Sequence, residues 1–448
     1  MRRKRTYSFI DLFAGLGGFH LALSQLGYKC VFASELREDL RKLYAINFPG
    51  TPIYGDITQI NPREIPHHDI LCGGFPCQPF SQAGKRQGFN DSEGRGNLFY
   101  YICDILKFHK PKYVLLENVQ NLEGHDNGNT WKTIEENLHS LGYDVAKKIL
   151  SPHQFGIPQH RKRIYIVCVR EDLGGLSDFE YPIPNNAPCD INDIIDESDT
   201  DIIKLRQESR SQLDVWEEFI KETIKHGDLV PQFPIWSMEF GATYDYSVTP
   251  NFQSIEQLNG KRGKFGKIIR GKTIEECLSY LPNYAINSKA QTFPHWKISY
   301  IEKNREFYKR NKSWLDNWIK KVMVFETSFQ KMEWNCKYNV EFTLFDKLIQ
   351  FRASGIRVKL PTFAPALNLV GTQIAVLPWV KLPDSVLSEG EPKYGRYMTI
   401  REAARLQGMG DLKFGDTSFQ LSTNRTYEAL GNAVNVEIVK KVASNLIK

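Results

Sequence analysis

The sequence predicts an α/β fold, a mostly parallel, doubly wound sheet interrupted by a large insertion. Three observations predict it. Short β-rich runs alternate with helical patterns through the first third of the chain, as a parallel sheet with crossover helices requires. Those runs are continuously apolar, which suits strands buried on both faces. The pattern then breaks down over residues 180–350, where aromatic and basic residues cluster at irregular spacing, and returns after Ser354.

Taken in order, strands are expected over 7–13, 29–34, 69–73, 113–117 and 163–169. Helices are expected between them over 18–26, 38–48, 98–107 and 129–141. Periodicity does not set the strand order. Segment 181–200 is rich in Pro, Asn and Asp and reads as a linker. Within the insertion, residues 293–297 are assigned to a core and 304–321 to a surface helix. Amphipathic helices follow over 398–408 and 426–447. The expected division is therefore 1–175 for the first part of one domain and 176–353 for the insertion. Residues 354–448 would return to the base of the insertion and complete the first domain. There is no internal repeat.

Composition narrows the class. A chain of 448 residues can bury one large core and a second, smaller one. With 20 Tyr, 27 Phe and 8 Trp it is too aromatic to be disordered. A net charge of +6 permits a polyanionic partner without requiring one. No apolar run approaches the roughly 18 residues that span a bilayer. The basic start, Met1 to Arg5, is followed by too short an apolar stretch for a secretory signal. The eight cysteines form no CxxC pair and no His/Cys cluster at zinc spacing. The expectation is a cytoplasmic, thiol-reduced protein without a metal.

Asp11-Leu-Phe-Ala-Gly15-Leu-Gly17-Gly18-Phe19 follows an apolar strand and opens a helix. Glycines at such a turn let backbone amides and the helix N-terminus approach a ligand closely. Glu35 ends the next strand, where an acidic group can bind a ribose diol. Asp56 ends a third short run, Ile53-Tyr-Gly-Asp56, and could accept from an adenine amino group. Each feature alone is a tight turn or a helix cap. Together they favour an adenosine-containing cofactor, either a dinucleotide or S-adenosylmethionine.

Gly73-Gly74-Phe75-Pro76-Cys77-Gln78-Pro79-Phe80-Ser81 follows the strand that ends near Cys72. Cys77 therefore stands just past the C-terminal end of a strand, where doubly wound sheets place ligands. Pro76 restrains the backbone before it, and a helical turn after it would lower the thiol pKa toward the thiolate. Flanking Gly and Pro argue against an inert core cysteine.

These residues resemble the cytosine-5 DNA methyltransferase family, on Phe-Ala-Gly-Leu-Gly-Gly and Gly-Phe-Pro-Cys-Gln-Pro-Phe-Ser. The likeness continues in the family's order through Arg95-Gly-Asn-Leu-Phe99, Glu117-Asn-Val119, Gln159-His-Arg161-Lys-Arg163, Arg401-Glu-Ala-Ala-Arg405-Leu-Gln-Gly408 and Gly431-Asn-Ala-Val434. The blocks span 8–170 and about 396–440. The resemblance implies a Rossmann-like S-adenosylmethionine-dependent domain carrying an inserted target recognition domain. It also implies a cofactor set of Phe13, Gly15, Leu16, Gly17, Gly18, Glu35, Leu36, Asp56, Ile57, Gly74, Pro76, Leu98, Asn432 and Val434.

Carbon 5 of cytosine is a poor nucleophile. Adding a thiolate to carbon 6 turns the ring into an enamine whose carbon 5 can attack a sulfonium methyl group. The resemblance assigns the thiolate to Cys77. It assigns Glu117 to the negative charge that builds at ring nitrogen 3, a role that burial at a strand end would suit by raising the carboxyl pKa. It gives Arg163 the base carbonyl and the orientation of Glu117, with Arg161 in support.

A base inside a duplex must be flipped out to be attacked this way. The Gly-rich segment 81–96 resembles the family's loop that closes over the target. Gln78, Ser81, Lys85, Arg86 and Arg95 are its candidate DNA contacts. In the insertion, Lys261, Arg262, Lys264, Lys267, Arg270 and Lys272 form a basic run without an acid, suited to backbone contact and groove readout. The implied partner is double-stranded DNA, met as a monomer, with one fixed target as in a restriction–modification system. A tRNA cytosine-5 methyltransferase shares the catalytic blocks, but it needs no such insertion. A non-catalytic relative would not need Cys77, Glu117 and Arg163. A dinucleotide-dependent oxidoreductase leaves those residues and the basic insertion unexplained.

Overall fold

The computed structural model describes residues 6–76, 98–196, 198–199, 201–286, 289–367 and 374–447. The chain forms two compact units. The first comprises Met1–Asp199, Thr362–Gly371 and Thr399–Lys448, and the second Thr200–Pro361 and Thr372–Met398.

The first unit is built on strands β1 (Ser8–Leu12), β2 (Lys29–Ser34), β3 (Ile53–Tyr54), β4 (Ile70–Gly74), β5 (Tyr113–Val119), β6 (Tyr143–Leu150), a short β7 (Gln159–His160) and β8 (Arg163–Arg170). Seven of them form one sheet in the order β3-β2-β1-β4-β5-β8-β6. β1 to β5 pair in parallel, whereas β8 runs antiparallel to β5 and β6 antiparallel to β8. Ile10, Leu12, Leu71, Val114, Leu116, Ile164 and Ile166 carry the core on one face of this sheet. β6 escapes the apolar pattern because it is an edge strand whose middle carries Lys147 and Lys148. Charge on an edge is how sheets avoid pairing with other chains.

Helices α1 (Gly18–Gln25), α2 (Glu38–Asn47), α3 (Phe99–His109) and α4 (Asn129–Ser140) connect the strands. Because β1 lies between β2 and β4, the strand order reverses there. A crevice opens outside the carboxyl ends of β1 and β4 at such a switch point, and both the glycine turn and Gly74–Pro76 lie at it.

The helix expected over 426–447 is two helices, Thr423–Asn432 and Val436–Leu446. Ala433 is extended (φ −64°, ψ 148°), and Asn435 caps the second helix by accepting from the Ile438 amide at 3.1 Å. Periodicity does not register a break that leaves the apolar face continuous. The expected linker 181–200 is likewise anchored along its described residues. Tyr181 donates to the carbonyls of Ala146 and Tyr165, both at 2.9 Å, and Arg405 reaches the Ile194 carbonyl at 3.0 Å as well as Asp196 and Asp199. Pro and Asn deny this segment a ladder, not a fixed course.

The second unit holds a six-stranded sheet, in the order Tyr394–Tyr397, Val376–Lys381, Leu348–Arg352, Gly355–Lys359, Lys331–Asn335, Ile235–Trp236. Helices Gln207–Lys225 and His295–Val322 pack in its core through Trp216, Phe219, Trp314 and Trp318. Residues 304–321 form the expected helix, an amphipathic one. They bury Phe307, Trp314, Leu315 and Trp318 on one stripe while the lysines face out. Trp296, assigned to the core, is 54% exposed.

Candidate active site

In the first unit a cavity of about 420 Å³ opens at the switch point. Its walls come from the turn after β1, the end of β2, the ends of β4 and β5, the start of β8 and the bend between the two C-terminal helices.

The turn after β1 owes its shape to left-handed backbone. Phe13 (φ 56°), Gly15 (φ 55°) and Gly17 (φ 79°) all adopt it, and Phe13 does so at a cost that a non-glycine residue bears only where its surroundings hold it. Gly17 admits no side chain, because a Cβ there would sit 2.2 Å from the Phe48 ring. At the end of β2, Glu35 is buried and its two oxygens are aimed by backbone amides. Oε2 accepts from Gly15 and Oε1 from Arg37, each at 2.9 Å.

Across the cavity, β5 delivers Glu117 opposite Gly74 in the parallel register. A side chain at Gly74 would meet Glu117 Oε2 and Val434 Cγ1, so glycine keeps this space open. Glu117 is 6% exposed, and burial pushes its carboxyl above the usual range despite the opposing pull of Arg163 and Arg161. Arg163 Nε lies 3.1 Å from Glu117 Oε1, an ion pair at the cavity wall.

Arg161 is more deeply buried. It donates to the carbonyls of Gly431 and Ala433, both at 2.8 Å. Burial, and then the neighbouring Arg163 charge, bring its pKa down to about 10. Arg161 thus holds the C-terminal bend in place, and that bend presents Asn432 and Val434 to the cavity.

Of the residues singled out in the sequence, Phe13, Gly15, Gly18, Glu35, Gly74, Pro76, Glu117, Arg161, Arg163, Asn432 and Val434 line this one cavity. Others lie apart from its lining. Leu16 and Ile57 are buried, and Gly17 packs against Phe48. Leu98 packs against the sheet's core, and Leu36 is 68% exposed. Asp56 caps a 3₁₀ turn by accepting from the Thr58 amide at 2.9 Å.

Cys77, Gln78, Ser81, Lys85, Arg86 and Arg95 lie outside the described residues. In the second unit Lys261, Arg262, Lys267 and Arg270 are exposed, while Lys264 is half-buried and donates to the Ser279 carbonyl at 2.9 Å.

Sequence reasoning passed over other lining residues. Phe19, Phe75 and Asn118 stand inside the motifs and were readable there. Arg37, Leu40 and Ala429 carry no sequence signal and reach the cavity only through folding. Among the described residues no cluster of His, Cys, Asp and Glu is placed to hold a metal, and the described cysteines form no disulfide. No described helix is long and apolar enough to cross a membrane.

Five parallel strands with an antiparallel edge, and a cavity with a buried acid at their switch point, define a Rossmann-like fold of the methyltransferase kind. The model of the C-5 cytosine-specific DNA methylase family matches residues 7–448, and the chain belongs to that family. Among its relatives, the Type II methyltransferase M.HhaI of Haemophilus parahaemolyticus is 47% identical over 42% of this chain and 56% of its own. M.HaeII of Haemophilus aegyptius is 48% identical over 44% and 59%. The chain thus spans little more than half the length of these two relatives. M.AluI of Cellulosimicrobium cellulans is 30% identical over 97% of this chain and 91% of its own. A crystal structure of a Spodoptera frugiperda DNMT2 mutant aligns with 99% of this chain and 100% of its own, at 15% identity and a TM-score of 0.48.

Proposed function

We propose that the protein is a DNA (cytosine-5)-methyltransferase that moves a methyl group from S-adenosylmethionine to carbon 5 of a flipped cytosine, through a covalent bond to Cys77. The observation that carries this reading is Glu117, a buried carboxyl paired with Arg163 and facing Gly74, three residues before Cys77. Family membership supplies the prior.

The donor set fits an adenosine-containing cofactor. Each Glu35 oxygen accepts one backbone amide and retains a lone pair for a ribose hydroxyl. Gly15 and Gly18 allow close backbone approach, and Phe19 and Leu40 offer apolar wall. Bound there, S-adenosylmethionine would supply an electrophilic methyl group.

The chain's own residues account for the rest of the chemistry. The Cys77 thiolate adds to carbon 6 and the ring's 5,6 double bond opens, which makes carbon 5 nucleophilic. Glu117, whose carboxyl burial shifts toward the protonated form, donates to ring nitrogen 3 where the charge builds. Arg163 holds that carboxyl in place. A base, which these residues do not include, takes the carbon 5 proton, and expulsion of the Cys77 thiolate from carbon 6 restores the double bond. The second unit is read as the target recognition domain. Its exposed basic run would meet phosphates and groove edges. The names of M.HhaI, M.HaeII and M.AluI as Type II methyltransferases support a role in restriction–modification. We read the enzyme as a cytoplasmic monomer that acts on one short duplex sequence.

The test is expression of the protein and its Cys77→Ala variant in a methylation-free bacterial host, followed by sequencing of 5-methylcytosine. Methylation at one short motif, absent with the variant, is expected. Unmethylated DNA from a folded, cofactor-binding wild type would overturn the DNA assignment and turn the assay to tRNA.

A further inference from the structure

A second cavity, of about 590 Å³, opens in the second unit beside strand Lys331–Asn335 and the first turns of helix His295–Val322. Its volume is that of a small-ligand site. Six aromatic residues line it, and four of their rings are in contact. Trp236 and Tyr284 have ring centroids 4.4 Å apart, Trp236 meets Tyr300 edge-on at 5.5 Å, and Tyr300 meets Trp296 at 5.7 Å. Trp236 and Tyr284 belong to a packed core. Trp296 does not: it stands 54% exposed at the cavity.

The polar lining is cationic on balance. Lys297 donates to the Tyr284 carbonyl at 2.9 Å and, as an ammonium, keeps two further donors. Lys331 is half-buried in the same wall. The carboxylate there, Glu333, is already met by Arg352 at 2.8 Å and Arg357 at 3.2 Å.

A stacking face beside two ammonium groups matches one ligand chemistry, a nucleobase with its adjoining phosphate. We propose that this cavity takes a single unstacked base of the DNA, outside the cytosine site. The base stacks on the exposed Trp296, and the neighbouring phosphate lies against Lys297 and Lys331. The proposal rests on the DNA-methyltransferase reading and adds to it a second place where the enzyme holds DNA open.

The test uses the full chain and two duplexes of one sequence, fully paired or carrying a single-thymidine bulge. Binding is read by fluorescence anisotropy, and methylation of the paired duplex is measured in parallel. Wild type is expected to bind the bulged duplex about tenfold more tightly, and Trp296→Ala and Lys297→Gln each to lose most of that preference. Both side chains reach solvent, so neither variant removes core. If wild type binds and methylates the paired duplex without preferring the bulge, or if both variants keep the preference, the cavity proposal falls and the DNA reading stands. If wild type neither binds nor methylates duplex DNA, both fall.

Discussion

The Asn118 side chain donates from Nδ2 to the carbonyl of Phe75 at 2.8 Å, while its Oδ1 accepts from the Val119 amide at 2.8 Å. The residue beside the buried acid on β5 therefore fixes the segment that leads from β4 to Cys77. Asn118 is 3% exposed.

Asn118→Ala should leave the Phe75 carbonyl unsatisfied, at a cost of about 1–3 kcal/mol. With the thiol less well placed, the single-turnover methylation rate is expected to fall while the dissociation constant for S-adenosylmethionine holds within about twofold. An unchanged rate would remove Asn118 from any positioning role.

Glu117→Gln keeps the shape and loses the proton. The methylation rate should drop by about 10²–10⁴-fold. The pH dependence of stability carries its own sign. Burial raises the Glu117 pKa in the folded state, so stability is full at low pH and is lost as the pH rises through the raised value. Wild type should therefore lose ground to Glu117→Gln in thermal unfolding as the pH climbs from 4.5. A difference that stayed flat with pH would show that the carboxyl is not desolvated.

Arg161→Ala strands two buried carbonyls, those of Gly431 and Ala433. Urea unfolding should show a loss of at least about 1–3 kcal/mol, and Arg161→Lys, which can reach one carbonyl at a time, should recover part of it. Because the C-terminal bend carries Asn432 and Val434, cofactor affinity should fall alongside stability. Retained affinity with lost stability would mean that the bend does not serve the cofactor.

Gly17→Ala meets two penalties, a left-handed φ of 79° and a Cβ 2.2 Å from the Phe48 ring. The left-handed backbone alone costs about 1–2 kcal/mol. Adding Phe48→Leu should relieve the contact and leave the backbone cost, so the double variant should unfold between wild type and Gly17→Ala. Equal midpoints for the single and double variants would mean that the ring moves aside freely.

Much of the first unit was readable because its signals are local. Continuous apolar runs marked the parallel strands, and glycines marked the turn that only left-handed backbone can make. Glu35 and Glu117 stood at strand ends, and the order of motifs named the family. Where the reading failed, the deciding contacts lie far apart in sequence. The lysines of β6 gave it the look of a polar segment because edge exposure is a property of the sheet. The break at Ala433–Asn435 hid inside an unbroken apolar face. Phe293 is in the core as expected but Trp296 is not, since a stripe of aromatics does not say which side of a helix meets the sheet.

By itself, then, the sequence determined the backbone turns, the chemical groups and their order, since those follow from residue type and near neighbours. Tertiary structure alone decided which groups share a cavity. Arg161 closes on Gly431 across 270 positions, and Arg37, Leu40 and Ala429 join the wall without any motif to announce them. Packing free energy depends on where surfaces meet, and chain position does not contain that.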